Sequence, residues 1–103
     1  VTYVEAGRAL ADILLLEAKD DETRLRLAMT RVLGRNPSAE ELDLLKRSLR
    51  RGIASFTKDP EAARRFLTHG DSKSKSGVPP ITRAAWAALC LNLLNLDETL
   101  NKE

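Results

Sequence analysis

AAWAALCLNLLNL, residues 84–96, is the stretch that decides the fold of this 103-residue chain. Trp86, Leu89, Cys90 and Leu93 recur at helical spacing on one face, and alanine and leucine cover much of the remainder. A helix that is apolar nearly all round is buried on more than one side. We therefore predict an all-α fold, a compact bundle of about five helices with this last long helix at its centre.

The composition supports a helical globular domain. Hydrophobic residues make up 43% of the chain and charged residues 31%, which argues against disorder over its whole length. Leucine and alanine, both good helix formers, dominate, and β-branched residues are too few to favour a sheet. Residues 1–103 are expected to form a single domain around one core. The net charge of +2 is too balanced for a dedicated nucleic-acid binder, so a nucleic-acid partner is not expected.

The first predicted helix runs from Tyr3 to about Ala18. Leu10, Ile13 and Leu14 are predicted to line its core face, which Tyr3, Ala6 and Gly7 continue. Its charged residues Arg8, Asp12 and Glu17 are expected mostly elsewhere. A second helix, started by the capping acids at 20 and 21, carries its own apolar stripe.

LGRNPSAEEL, residues 33–42, is predicted to be the corner between the second and third helices. Gly34 can take the left-handed conformation that ends a helix, and Pro37 keeps the preceding residue out of helical geometry. Ser38 and Glu41 have the spacing of a capping box. We therefore expect helix two to end at Gly34 and helix three to begin at residue 39.

Helix three is expected to continue to about Phe56, and helix four to run from Pro60 to about Thr68. Residues 70–80 are rich in glycine, serine, lysine and proline and have no apolar periodicity, so they are predicted to be a flexible loop. Helix five is expected to begin near Thr82.

Two asparagines interrupt the apolar pattern of helix five. Asn92 and Asn95 are expected to be buried and to bond a loop or a neighbouring helix end, because a buried amide needs hydrogen-bond partners. Leu96 and Leu100 either extend helix five or form a short turn after Asn95.

No catalytic or metal-binding constellation is visible. His69 is the only histidine and is expected to interact with the last carbonyls of helix four. Cys90, the only cysteine, shares a face with Trp86 and is expected to be a buried hydrophobic residue rather than a nucleophile. We predict no catalytic residue, no metal site and no bound cofactor in this chain, and no apolar run long enough to span a membrane.

A cluster of basic residues on helix three is the strongest candidate for binding. Lys46, Arg47, Arg50 and Arg51 lie on a broad arc away from the apolar stripe and could bind phosphate or an acidic partner. Pairing of Asp43 with Arg47, one turn apart, would partly neutralise the arc. A solvated helix face is the simpler interpretation.

Three segments, taken in order, carry a family resemblance: VEAGRALADILLLEA, TRVLGRNPSAEEL and AAWAALCLNLLNLDETL. Together they resemble the C-terminal helical domain of unknown function found in large planctomycete and verrucomicrobial proteins. The resemblance covers nearly the whole chain apart from the 70–80 segment. Thr99 stands where that family usually has an aromatic residue. Proteins of this family often carry a cytochrome-c-like haem module towards the N-terminus and are expected to be exported.

The resemblance implies no activity and no catalytic residues. With no initiator methionine at Val1, we expect the chain to be part of a larger exported protein, and any haem to belong to another part of it, since CxxCH is absent here. The leading hypothesis is a non-catalytic accessory or interaction domain that contacts other domains of that protein or a protein partner. The alternative is a module that binds an anionic partner through helix three. An enzyme ranks third.

Overall fold

A computed structural model describes the backbone of residues 3–67 and 77–101 and the side chains of residues 5–67 and 77–97. These residues form five α-helices and no strand, so the predicted all-α fold is confirmed. The helices are α1 (Tyr3–Glu17), α2 (Asp21–Leu33), α3 (Ala39–Lys58), α4 (Pro60–Leu67) and α5 (Pro80–Asn101). Among them, none is both long and apolar enough to cross a bilayer.

The helix ends lie close to the predicted ones. α5 begins at Pro80, two residues before the predicted start, and runs unbroken through Asn95 to Asn101. Leu96 and Leu100 therefore extend α5 rather than forming a separate turn. Residues 77–79 are non-helical, whereas the rest of the predicted loop up to residue 76 lies outside the described residues.

The corner between α2 and α3 is built as the local sequence predicts. Gly34 has a φ of 75°, in the left-handed region, and its amide donates to the carbonyl of Thr30 at 3.0 Å. The Ser38 hydroxyl accepts from the Glu41 amide at 3.1 Å, and the Glu41 carboxylate accepts from the Ser38 amide at 2.9 Å. Pro37 between them is buried. These bonds satisfy orphan backbone groups at both helix ends, which explains the sharp boundary.

The core is organised around α5, which contacts each of the other four helices. Trp86 and Cys90 are fully buried at its centre, and Leu89 and Leu93 are nearly so. Buried side chains from three other helices close around them: Ala11, Leu14, Leu15, Leu25, Ala28, Met29, Leu42 and Leu49. An α5 that is apolar on several sides accordingly has neighbours on several sides, which confirms its predicted central position.

α1 and α5 run antiparallel and approach each other closely at Gly7. A Cβ atom placed on Gly7 would lie 3.0 Å from the carbonyl oxygen of Ala87 and 3.1 Å from the amide nitrogen of Leu91. Further along α1, Asp12 meets Arg83 near the start of α5. The absence of a side chain at Gly7 lets the two backbones approach to this distance, and the approach fixes the rotation of α1 about its axis.

The observed orientation of α1 shows that part of its predicted core face is wrong. Leu14 is fully buried as expected, but Ile13 is 40% exposed, and Arg8, predicted to lie away from the core, is only 5% exposed. The glycine side of α1 faces α5, which places Arg8 inward and turns Ile13 towards solvent. Helical periodicity alone could not predict which side of α1 faces the core, because α1 carries apolar residues on both sides.

Candidate interaction surfaces

The outward face of α1 carries several exposed aliphatic side chains. Ala9, Ile13 and Leu16 lie on it at helical spacing, and all three are exposed, with Leu16 reaching 49%. The solvent side of a surface helix ordinarily carries charged or polar residues. At the end of the stripe, Glu17 is engaged by Arg31 of α2 through an ion pair. The stripe is thus a short row of exposed aliphatic side chains with an exposed carboxylate at each end, Glu5 and Glu17.

The four basic residues predicted on α3 fall into two pairs. Lys46 bonds Glu22 of α2 at 3.0 Å, and this contact lowers the pKa of the Glu22 carboxyl. Arg47 bonds Asp43 at 2.8 Å, the pairing predicted from their spacing. Two of the four predicted cations are therefore partly neutralised by neighbouring carboxylates.

The other two cations, Arg50 and Arg51, are exposed and form no ion pair with any residue that the structure describes. Together with Arg47 they line an open surface depression of about 450 Å³, whose fourth lining residue is Leu44. Leu44 is 58% exposed, the largest exposure among the big hydrophobic residues of the described chain. Leu44 was not predicted as a site residue; the signal available in the sequence was its position among outward-facing polar residues of α3.

A smaller depression of about 170 Å³ lies on the α2 side of α3 and is lined by Asp21, Lys46, Leu49 and Arg50. Arg50 thus borders both depressions. The carboxylate of Asp21 pairs instead with Arg24, at 3.5 Å. Within the predicted basic arc, Lys46 therefore lies beside acidic residues of α2. Arg50 and Arg51 are the members of the arc that have no ion-pair partner among the described residues.

Two arginines, Arg8 and Arg83, are buried, and their burial was not predicted from the sequence. The guanidinium of Arg83 meets both carboxylate oxygens of Asp12 at 3.2 Å, in a two-pronged pair that is mostly shielded from solvent. Arg8 donates to the carbonyl of Leu67, the last residue of α4, at 2.9 Å. Each contact joins elements more than 50 residues apart in the chain, so both tie distant parts of the fold together.

Cys90 is buried, as predicted. Burial raises the pKa of its thiol to about 12, because the thiolate would lose its hydration in the apolar core. A nucleophilic cysteine needs an accessible thiolate, which this environment disfavours. His69, which is predicted to interact with the last carbonyls of α4, lies outside the described residues.

Cys90 is therefore expected to resist thiol reagents until the protein unfolds. At pH 8 the native protein should react with an aromatic disulfide reagent only at the rate of global or sub-global opening, and denaturant should release one fast-reacting thiol per chain. Ser55 is exposed on α3, so a Ser55→Cys variant supplies an accessible thiol as the control. Rapid labelling of Cys90 in the native wild type would contradict the buried position.

The prediction that Asn92 and Asn95 are buried is wrong: both are exposed on α5. Leu93 between them is buried, whereas Leu96 beside Asn95 is 47% exposed. The apolar residues of this part of α5 therefore do not all face the core, and the sequence pattern overestimated burial here.

Arg35, in the corner between α2 and α3, is paired rather than free. Its guanidinium donates to both carboxylate oxygens of Glu41, at 2.7 Å and 2.6 Å. The hydrogen bond from Arg35, followed by that from the Ser38 amide, lowers the pKa of Glu41 from 4.5 to about 2. This corner has a structural role and holds no free cation for a ligand.

The depressed pKa of Glu41 predicts a pH dependence. The contribution of ionised Glu41 is fully present above pH 4.5 and is lost as the pH falls towards about 2, since the folded state must then bind a proton that it resists. We expect an NMR titration of the Glu41 carboxyl to show this low midpoint. In an Arg35→Gln variant the midpoint should rise towards 4.5; an unchanged midpoint would show that Arg35 is not its cause.

Among the described residues, no group of three or more histidine, cysteine, aspartate or glutamate side chains is arranged to hold a metal ion. The candidate interaction sites are two exposed surfaces. They are the α1 stripe (Ala9, Ile13 and Leu16) and the α3 patch (Leu44, Arg47, Arg50 and Arg51).

No protein-family model matches this sequence, and no curated protein or solved structure is significantly similar to it.

Proposed function

We propose that this chain is a non-catalytic interaction domain within a larger exported protein, and that the α1 stripe is its docking surface. The observation that supports this proposal is the exposure of Ile13 and Leu16, 40% and 49%, on the outward side of a helix whose other side is in the core. Exposed aliphatic side chains grouped on one face are typical of protein–protein contact sites. The resemblance to the C-terminal helical domain of planctomycete and verrucomicrobial proteins supports the setting in a larger protein.

The energetic reason for docking is the hydrophobic effect. Removing aliphatic surface from water contributes roughly 25 cal/mol per Å². Ile13 and Leu16 are branched and already held in a helix, so covering them would cost little further backbone ordering. The neighbouring Glu17 is paired with Arg31, so docking over the stripe need not desolvate a lone charge there.

The test measures whether the rest of the parent protein covers the stripe. Leu16→Cys, in a Cys90→Ala background, should be labelled quickly in the isolated domain and more slowly when the remaining domains are present. Arg64→Cys, exposed on α4, is the matched control and should be labelled equally in both states. Equal labelling of Leu16→Cys with and without the other domains would overturn the proposal.

A second candidate function, binding of an anionic partner through α3, is favoured by a specific observation. Arg50 and Arg51 lie side by side in an open depression without a carboxylate partner among the described residues. Lys46 is left out of this site because Glu22 already engages it. Polyglutamate at low salt is the probe: Arg50→Gln with Arg51→Gln should weaken its binding, whereas the absence of any polyglutamate binding to the wild type would overturn this candidate.

A further inference from the structure

The exposed leucine in the α3 patch indicates that an anionic partner would also carry an apolar group. Leu44 is 58% exposed and lines the same depression as Arg47, Arg50 and Arg51. Phosphate groups and sugar hydroxyls gain nothing from an aliphatic side chain, whereas a protein segment with an apolar residue would remove it from water. We propose that the α3 patch binds an acidic, amphipathic segment of a protein, with an apolar side chain over Leu44 and carboxylates on Arg50 and Arg51.

The spacing along α3 defines the shape of that segment. Leu44 and Arg51 are seven residues apart, which is two helical turns, or about 10.5 Å along the axis. A helix lying along α3 would present an apolar residue and an acidic residue at the same two-turn separation. The planar guanidinium of arginine can hold a carboxylate with two parallel hydrogen bonds, so Arg50 and Arg51, which have no ion-pair partner among the described residues, provide orientation as well as charge.

The charges along the outward side of α3 distinguish a protein segment from a uniform polyanion. Glu40, Asp43 and Arg47 are exposed in the N-terminal half of α3, and Arg50, Arg51 and Lys58 are exposed in the C-terminal half. A nucleic acid that followed the whole helix would meet the carboxylates of Glu40 and Asp43. A short acidic segment from Leu44 towards Arg51 has beside its start only Asp43, which is paired with Arg47, and it reaches Arg50 and Arg51, which have no carboxylate partner among the described residues.

This inference rests on the second candidate function, anion binding by α3, and is tested separately from it. The probe is a fluorescein-labelled helical peptide of about fourteen residues, rich in glutamate, with leucine seven residues from a glutamate on one face. A matched peptide has serine in place of that leucine. A single-stranded DNA oligonucleotide of equal charge is the third probe, and binding is measured by fluorescence anisotropy at low salt.

The expected result has three parts. The leucine peptide should bind wild type about fivefold to tenfold more tightly than the serine peptide, and Leu44→Ala should remove that preference without abolishing binding of either. Arg50→Gln with Arg51→Gln should weaken both peptides about fivefold or more, and raising the salt should weaken what remains. The matched control, Arg64→Gln with Arg65→Gln on α4, removes the same charge from exposed positions and should leave peptide affinity within about twofold.

Three results would overturn the inference. Equal affinity for the leucine and serine peptides, with the arginine dependence intact, would show that α3 binds anions without recognising an apolar residue; the second candidate function would survive. Tighter binding of DNA than of either peptide would assign the patch to nucleic acid instead. If none of the anions binds the wild type, the second candidate function and this inference fail together, whereas the α1 proposal is unaffected.

Discussion

Replacing Asp12 with alanine is expected to lower the free energy of unfolding by about 3 kcal/mol. Asp12 holds Arg83 through both carboxylate oxygens at 3.2 Å, and the Arg83 side chain is only 10% exposed. Removing the carboxylate would leave a guanidinium buried between α1 and α5 without its charge partner, and that desolvation penalty is the source of the loss. Chemical denaturation monitored by circular dichroism measures it.

The control is an ion pair of the same composition on the surface. Asp43→Ala breaks the pair with Arg47, but both of its side chains are more than half exposed, so the expected loss is about 0.5 kcal/mol or less. Replacing both buried partners together, Asp12→Leu with Arg83→Met, should cost much less than Asp12→Ala alone, because no uncompensated charge remains. Equal losses for Asp12→Ala and Asp43→Ala would show that burial does not set the strength of the Asp12–Arg83 contact.

Replacing Gly7 with valine is expected to lower the free energy of unfolding by about 3 kcal/mol. A Cβ at this position would already lie 3.0 Å to 3.2 Å from three backbone atoms of Ala87 and Leu91. These atoms belong to the central helix and cannot rotate away as a flexible side chain would, so α1 and α5 must separate. Thermal or chemical denaturation measures the loss.

Alanine substitutions at Gly7 and Gly52 are expected to change the free energy of unfolding in opposite directions. Gly7→Ala gains about 1 kcal/mol of helix propensity but should still be destabilising because of the backbone contacts. In Gly52→Ala the new Cβ would meet only Ala85, at an ordinary 3.4 Å, so the variant should be more stable than wild type by up to about 1 kcal/mol. A stabilised Gly7→Ala would contradict the close approach of α1 to α5.

The fold was predictable because its signals are local or strongly periodic. The ends of α2 and α3 depend on Asp20, Gly34, Ser38 and Glu41, whose backbone bonds are made within four residues along the chain. The central position of α5 follows from apolar residues on several sides of one helix, a property of composition and spacing. Such features are readable without knowledge of what packs against them.

The candidate surfaces were predictable only in part. Arg47 pairs with Asp43 one turn away on the same helix, so its neutralisation could be predicted. Lys46 is engaged by Glu22 from another helix, and that partner depends on how α2 and α3 pack. Among the described residues, no acidic side chain of a neighbouring helix pairs with Arg50 or Arg51. The sequence therefore predicted the basic arc but not which of its members are unpaired.

Sequence by itself determined the helices, their caps and the burial of Trp86 and Cys90, because these depend on backbone bonding and on a pattern repeated along one helix. Tertiary structure alone decided which side of α1 faces inward. A Cβ on Gly7 would lie 3.0 Å from the backbone of α5, so this side of α1 faces α5, and that orientation buries Arg8 while it exposes Ile13. The α1 stripe exists because an otherwise ambiguous helix was oriented by its one position without a side chain.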